Sequence, residues 1–261
     1  MRILVTNDDG VDAPGIHALT RAMIDAGHDV TLFGPLDDRS GSSAAIGLAL
    51  SGRPRVYRIE ISELDGLAAF AVDGPPALAV LIACLGGLGE RPELVVSGVN
   101  PGPNTGRAVI HSGTVGAALT AANQGISGVA VSMGTGTPSY VDVAAAVGAS
   151  AAAWVAEQPA GTVLNVNVPN LPAEQIRGVR EGRLAPFGTV RASMGESEEG
   201  HLEVELEGTG APVDPDTDVA LVRAGFVSVT SIVGVTATEA PAAAEHIAAD
   251  LPRIGAVQPA S

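Results

Sequence analysis

Apolar positions along the chain fall into two periods. Short apolar runs bounded by turn residues predict buried strands at Ile3 to Val5, Val30 to Phe33, Glu93 to Ser97, Gly128 to Met133 and Val163 to Val168. Between them lie stretches with helical spacing. Ile16 to Ala26 carries a stripe of Ile16, Leu19, Met23 and Ile24, opened by Pro14 and Gly15 and closed by Gly27. Pro75 and Pro76 start a helix that runs through Ala83 to about Leu85, and Val141 to Ala156 predicts another. Ser112-Gly-Thr-Val-Gly-Ala-Ala-Leu reads as a helix start with Ser112 or Thr114 near the cap. Arg55 to Ile61 and Ala68 to Val72 read as two strands joined by an acidic turn, and Gly98 to Gly106 as an irregular loop. Strand and helix alternate over roughly residues 1–170, which predicts an α/β protein with a parallel sheet.

The last third changes character. Arg177 to Leu184 and His201 to Leu206 predict two strands of an arm, with Met194 to Gly200 as a polar loop between them. Phe226 to Val233 predicts a further strand, Ala240 to Leu251 a terminal helix, and Pro259 to Ser261 a frayed tail. A two-stranded arm has no core of its own, so a projecting arm is expected to pack on another subunit.

Composition narrows the picture. Hydrophobic residues make up 46% of the 261-residue chain and charged residues 16%, enough apolar material for a sizeable core. Aromatics are only 3%, so helices and sheet are expected to meet through small side chains. The net charge of −15 repels nucleic acid polymers and anionic membranes, although a metal or a helix amino end can reverse the field locally for a small anion. The single cysteine, Cys84, excludes an intrachain disulfide, fits a core position and points to a cytoplasmic protein. The chain starts directly on a strand with no signal-peptide pattern, and its most apolar stretch, Ala77 to Leu88, is too short to span a bilayer.

The chemistry collects where strands end. Ile3 to Val5 stop abruptly at Asn7-Asp8-Asp9-Gly10. These residues form turns readily, but adjacent carboxylates at a strand end also repel each other unless a cation lies between them. Ligands of parallel sheets gather at the carboxyl ends of the strands. Four such segments converge: Asn7 to Gly10, Arg39 to Ser43, Gly98 to Asn104 and Ser112 to Thr114. They offer carboxylates, hydroxyls and amides, the hard oxygen donors that Mg²⁺, Mn²⁺ or Ca²⁺ prefer, and there is no cysteine–histidine cluster for zinc. The Ser112 helix start suits a phosphate. Phosphomonoester hydrolysis fits these parts best.

Several segments together resemble the SurE family of metal-dependent nucleotidases. They are Arg2 to Ile16, Asp38-Arg-Ser-Gly41, Val95 to Asn104, Ser112 to Ala118, Asn165-Val-Asn-Val-Pro169, and Asp216-Thr-Asp-Val-Ala220 leading to Gly225 to Thr230, collinear over about residues 1–235. The resemblance implies a single domain over residues 1–261, a Rossmann-like three-layer α/β/α fold with a mostly parallel sheet. It also implies a C-terminal β-hairpin arm within residues 177–235, exchanged between the subunits of a homodimer or homotetramer. It implies one Mg²⁺ or Mn²⁺ per subunit on Asp8, Asp9, Ser40 and Asn100, with Asp8 or Asp9 also orienting or deprotonating the attacking water. Asn104, Ser112, Gly113 and Thr114 would line the phosphate pocket. The implied activity is release of inorganic phosphate from nucleoside 5′- or 3′-monophosphates or a related small phosphorylated metabolite.

The chain also departs from that pattern. Family members usually carry Gly-Thr-Pro-(Ala or Thr)-Asp-Cys where this chain has Gly74-Pro-Pro-Ala-Leu-Ala79, so a Thr and an Asp are gone. Ser43 is followed by Ala-Ala-Ile-Gly47 in place of a polar run, and Thr236-Ala-Thr238 stands where Thr-Ala-His is common. These changes fit an altered substrate, simple variation, or a catalytically silent nucleotide-binding module on the same fold. A haloacid-dehalogenase mechanism fits poorly because Asp8 and Asp9 are adjacent, and no Gly-x-Gly-x-x-Gly follows the first strand as a dinucleotide enzyme requires. Elsewhere the bland readings are preferred: His17 on the helix surface, His111 structural, Arg39 paired with Asp37 or Asp38, Tyr140 and Trp154 in helix packing, and Glu196, Glu198 and Glu199 on a solvated loop.

Overall fold

The computed structural model describes residues 1–47, 52–64, 66–186, 190–196, 202–208 and 213–237, together with Ala243 and His246. Strand β1 (Arg2–Thr6), helix α1 (Pro14–Asp25) and strand β2 (Asp29–Pro35) form the first unit. Then come β3 (Val56–Ile59), β4 (Ala68–Val72), α2 (Pro76–Cys84) and β5 (Leu94–Asn100). A 3-10 turn (Gly106–His111) leads into α3 (Gly113–Asn123), β6 (Ser127–Met133), α4 (Val141–Ala156) and β7 (Val163–Val168). The C-terminal part adds β8 (Val179–Glu181), β9 (Val190–Glu196), β10 (Leu202–Gly208), α5 (Asp218–Arg223) and β11 (Val227–Ser231).

Nine strands form one sheet in the order β3-β4-β2-β1-β5-β6-β7-β11-β8. It is parallel from β4 through β7, with β3 antiparallel on one edge and β11 running against β7 on the other. Side chains alternate across each strand, so a strand buried on both faces is apolar along most of its length. Ile3 and Val5 of β1 therefore face one layer and Leu4 the other. The first layer holds Ile16, Leu19 and Met23 of α1 with Ala144, Ala145 and Ala152 of α4. The second holds Leu78, Val80 and Ala83 of α2 with Ala117 and Ala121 of α3, against Phe33 and Val95. The result is a three-layer α/β/α fold, as the family resemblance implied.

Small side chains permit the close approach. A Cβ on Gly148 of α4 would lie 2.9 Å from Leu19 Cδ1. One on Gly15 would collide with the Val99 carbonyl, so glycine lets the first turn of α1 sit directly on the end of β5.

The structure moves several expected elements. β5 continues through Gly98 and Val99 to Asn100, into the stretch expected to be irregular, because pairing with β6 resumes at Asn100–Ser132 after a register shift. The expected strand Arg177 to Leu184 is reduced to Val179–Glu181 and joins the main sheet beside β11 instead of forming the arm. The arm is a hairpin of β9 with β10. Met194 to Glu196, expected in a loop, therefore belong to a strand. Glu198, Glu199, Thr238 and the tail at residues 259–261 lie outside the described residues, as does most of the terminal helix. Among the described residues no helix is long and apolar enough to cross a membrane.

The altered Gly74–Ala79 segment has a structural explanation. Leu78 and Ala79 are fully buried in the layer formed by α2 and α3. A carboxylate at Leu78 would be a buried charge among apolar neighbours here, so the leucine serves packing. Cys84 is likewise buried, and burial pushes its thiol pKa up, as for an inert core cysteine. Replacement Leu78→Ala should cost about 2–5 kcal/mol in equilibrium urea unfolding; a loss well below about 1 kcal/mol would take Leu78 out of the core.

Candidate active site

The site forms where the crossovers change direction. β1 lies between β2 and β5, and the carboxyl ends of all three point the same way. α1 covers one face and α2 with α3 the other, so the chain leaves β1 and enters β5 on opposite sides and opens a crevice at the end of β1. Thr6 runs directly into Asn7, Asp8 and Asp9. Asn7 is fully buried and donates through Nδ2 to the Gly10 carbonyl at 2.9 Å, which closes the turn. Gly10 adopts φ 100°, the left-handed region that a β-carbon disfavours.

Asp8 is 3% exposed. Its Oδ1 accepts the Thr114 hydroxyl at 2.6 Å. Burial pushes the Asp8 pKa up, although the Thr114 hydroxyl and the Gly113 and Thr114 amides pull in the opposite direction. Those amides open α3, where the helix dipole favours a negative charge. Gly113 is required for space: a β-carbon there would lie 2.7 Å from both Asp8 Oδ2 and Ser42 Oγ.

Asp9 is less shielded and less supported. Its Oδ2 is buried with no hydrogen-bond partner. Burial first, then the charges of Asp8 and Asp38, push its pKa up to about 7. Two like charges with an orphaned oxygen between buried walls form an arrangement that a cation would relieve.

The β2 loop brings in Ser40. Arg39 N–H donates to the Asp8 carbonyl at 2.7 Å, which ties this loop to the end of β1. Ser40 Oγ donates to Asp38 Oδ1 at 2.6 Å, and the Ser40 amide donates to the same oxygen at 2.7 Å. These bonds hold the Asp38 pKa below the ordinary carboxylate range. They also use the only proton of the Ser40 hydroxyl and leave its lone pairs free. Asn100, at the end of β5, donates through Nδ2 to the Gly102 carbonyl at 2.6 Å, and no described donor claims its Oδ1. The oxygens of Asp8, Asp9, Ser40 and Asn100 thus fit a hard divalent cation by chemistry. Among the described residues no three His, Cys, Asp or Glu side chains cluster as a metal cage.

The residues expected to line a phosphate pocket divide by what they already bond. Ser112 caps α3, its Oγ accepting from the Val115 amide at 3.1 Å. Thr114 holds Asp8. Asn104 is clasped from below: its amide donates to Asn167 Oδ1 at 2.8 Å, and its carbonyl accepts from Asn165 and Asn167 at 2.8 and 2.9 Å. Its side chain donates to Ser132 Oγ at 2.8 Å. Residue-level reasoning gave no role to Asn165, Asn167 or Ser132. The available signal was Asn-x-Asn inside a strand buried on both faces, since buried amides must find partners. Ser42 was also passed over; its hydroxyl is buried without a partner beside Asp8. The loop bearing it lies against α3 because a β-carbon on Gly116 would strike the Ser43 carbonyl.

One expected pairing changes, and three other residues are placed by the fold. Arg39 bonds Asp73 at the end of β4, at 3.1 Å, instead of Asp37 or Asp38; the parallel β2–β4 pairing places their ends side by side. His17 is half-buried, its Nε2 2.8 Å from the Val11 carbonyl, so it braces the turn before α1. Trp154 is half-exposed on α4. Tyr140 precedes α4, its amide donating to Asn170 Oδ1.

The profile of the family Survival protein SurE matches residues 3–191. The chain belongs to the SurE family. It is 38% identical over 239 residues to the 5′-nucleotidase SurE of Stenotrophomonas maltophilia strain K279a, covering 89% of each chain. It is 38% identical over 238 residues to the 5′/3′-nucleotidase SurE of Escherichia fergusonii, covering 89% of this chain and 90% of that one. The crystal structure of the SurE protein from Aquifex aeolicus superposes with a TM-score of 0.76 at 27% identity, covering 98% of this chain and all of that one. The three-layer architecture is thus that of a SurE protein.

Two outcomes follow from the site electrostatics. In chelator, Asp9 holds a proton to about pH 7 when folded but only to about 3.8, the ordinary value, when unfolded. Its contribution to stability is complete below about pH 3.8 and is lost as pH rises towards 7. The Tm of Asp9→Asn should therefore match that of the native chain near pH 4 and exceed it increasingly up to pH 7, with a constant gap above. A gap independent of pH would remove burial as the cause. Gly113→Ala should turn Asp8 away from Thr114 and weaken Mn²⁺ binding, measured calorimetrically, by about tenfold or more; unchanged affinity would mean the pocket tolerates a methyl group.

Proposed function

We propose that this chain is a divalent-metal-dependent phosphomonoesterase that releases inorganic phosphate from nucleoside 5′- or 3′-monophosphates or related small phosphorylated metabolites. The observation carrying this reading is the orphaned Asp9 Oδ2 beside Asp8, at the end of β1, in a SurE chain whose relatives are named nucleotidases. Mg²⁺ or Mn²⁺, one per subunit, would be held by Asp8, Asp9, Ser40 and Asn100. When bound, it supplies the positive charge that neutralises phosphoryl oxygens and eases deprotonation of water.

The chain's own residues do the rest. Asp8 is fixed by Thr114 and by the amino end of α3, so it holds its position as charge builds up. Asp38 directs the Ser40 lone pairs by taking the hydroxyl proton. Asp9 Oδ2, which no protein donor claims, orients the attacking water and accepts its proton. Ser112, Gly113 and Thr114 present the amino end of α3 to the phosphate, and the Asn104 turn closes the pocket opposite. The substrate is a small anion: the net charge of −15 opposes nucleic acid polymers, and only the helix end and the cation reverse it locally. The β9–β10 hairpin would be exchanged between the subunits of a homodimer or homotetramer, because two strands alone bury too little to stand free. A cytoplasmic location belongs to the same proposal and is supported by the single cysteine, which leaves no intrachain disulfide.

The test is a phosphate-release screen over nucleoside monophosphates, sugar phosphates and an aryl phosphate, with Mg²⁺ and Mn²⁺ in parallel. Release is expected with either metal, with none in chelator. Asp8→Asn and Asp9→Asn should each lower kcat/KM by at least about a hundredfold. Nucleotide binding by calorimetry with no release under any divalent metal would instead identify a silent binding module.

A further inference from the structure

Asp218 carries a structural task that the site's own residues do not explain. It is fully buried in the first turn of α5, more than one hundred positions from the Asn104 turn in sequence. Its carboxylate reaches three backbone donors. Oδ2 accepts from the Gly106 amide at 2.6 Å, and Oδ1 from the Ala185 amide at 3.0 Å and the Val219 amide at 2.8 Å. A fully buried carboxylate is tolerable only when such donors surround it, and bonds to a charged acceptor are roughly twice as strong as neutral ones.

The partner that matters is Gly106. It opens the 3-10 turn that connects Asn104 to Ser112, with φ 61°. The segment from Asn100 to Ser112 contains one proposed metal ligand, one pocket-closing residue and the cap of α3. Ser43 holds its far end, donating to the Ile110 and His111 carbonyls, and its near end is pinned at two adjacent places. Asn165 and Asn167 clasp Asn104, and Asp218 takes Gly106 two residues later. Asp218 is itself held by the root of the arm. Its amide donates to the Arg183 carbonyl, the Arg183 amide donates to the Asp216 carbonyl, and the Arg183 guanidinium bridges Asp214 and Asp216 at 2.9 and 3.2 Å. Residues 183–185 precede the β9–β10 hairpin and residues 214–218 follow it, so both roots meet at this carboxylate.

We propose that Asp218 is a positioning residue for phosphate binding: by holding the Gly106 amide it fixes the Asn104–Gly106 turn over the pocket, and it makes that turn depend on the seated root of the arm. This rests on the phosphatase reading above. Asp218 touches neither substrate nor cation and acts only through the turn. The variant that isolates the bond is Asp218→Asn. Its remaining oxygen can still serve Ala185 and Val219, while its amide nitrogen confronts the Gly106 N–H, donor against donor.

Two readouts test this on the full-length protein. Amide hydrogen exchange over residues 104–111 should accelerate by about tenfold or more in Asp218→Asn, with β1 and α3 unchanged. The KM and the inhibition constant of inorganic phosphate should rise by about tenfold, while kcat and the Mg²⁺ midpoint change by less than about threefold. Unchanged exchange over 104–111, or uniform loosening of the whole domain, overturns the proposal. So does an unchanged phosphate inhibition constant. Should Asp218→Asn not fold, Asp218→Glu keeps a charged acceptor on a longer stem and is judged by the same selective exchange. A native chain that releases no phosphate refutes the phosphatase reading, while the exchange data still decide the role of Asp218 in holding the turn.

Discussion

Two carboxylates side by side at the end of a buried strand are the constraint around which this molecule is arranged. Asp8 and Asp9 follow a strand whose Ile3, Leu4 and Val5 are buried in the two helical layers, which fixes where the two carboxylates emerge. Their repulsion is met in different ways. Asp8 is offered a hydroxyl and the amino end of a helix, while Asp9 keeps an oxygen with no partner. That inequality gives the pair a division of labour. One carboxylate is held in place and the other is left open to an incoming positive charge or proton.

The rest of the fold brings suitable atoms to these two oxygens. Parallel pairing puts the ends of β2 and β5 on either side of β1, which delivers the Ser40 loop and Asn100. Glycines govern the distances. Gly15 brings α1 onto β5, Gly116 lets the Ser42–Ala44 backbone rest on α3, and Gly113 gives Asp8 room at the helix end. Each is a place where a methyl group would collide with atoms that define the site. The abundance of small residues, at first sight a compositional bias, is therefore a requirement of geometry.

Behind the site lies a second layer of polar contacts reaching into the sheet. Asn165, Asn167, Ser132 and Asp218 hold the Asn104–Gly106 turn from beneath. Buried amides and carboxylates of this kind cost stability unless every donor finds an acceptor, and they specify one arrangement when it does. The exposed Arg183 pairs contribute little by themselves. Their place at the root of the hairpin links a part of the chain remote in sequence to the Asn104–Gly106 turn.

Much of this was legible from local pattern. Runs of apolar residues and the Pro and Gly at helix ends located the strands and helices of residues 1–170, because burial on both faces leaves a signature readable within ten residues. The cluster Asn7 to Gly10 and the family motifs pointed to Asp8, Asp9, Ser40 and Asn100 as the proposed metal ligands. The second strand of the arm was legible, but its first was sought at Arg177 to Leu184, where β8 instead joins the sheet beside β11 and leaves β9 to pair with β10; only pairing decides that. Arg39 found Asp73 and not its neighbours, and Leu78 proved to be core, since both depend on which strands lie side by side. The unequal environments of Asp8 and Asp9 and the grip of Asp218 on Gly106 belong wholly to tertiary structure. Burial and hydrogen bonding between residues a hundred positions apart leave no local trace; they exist only once the chain has closed around them.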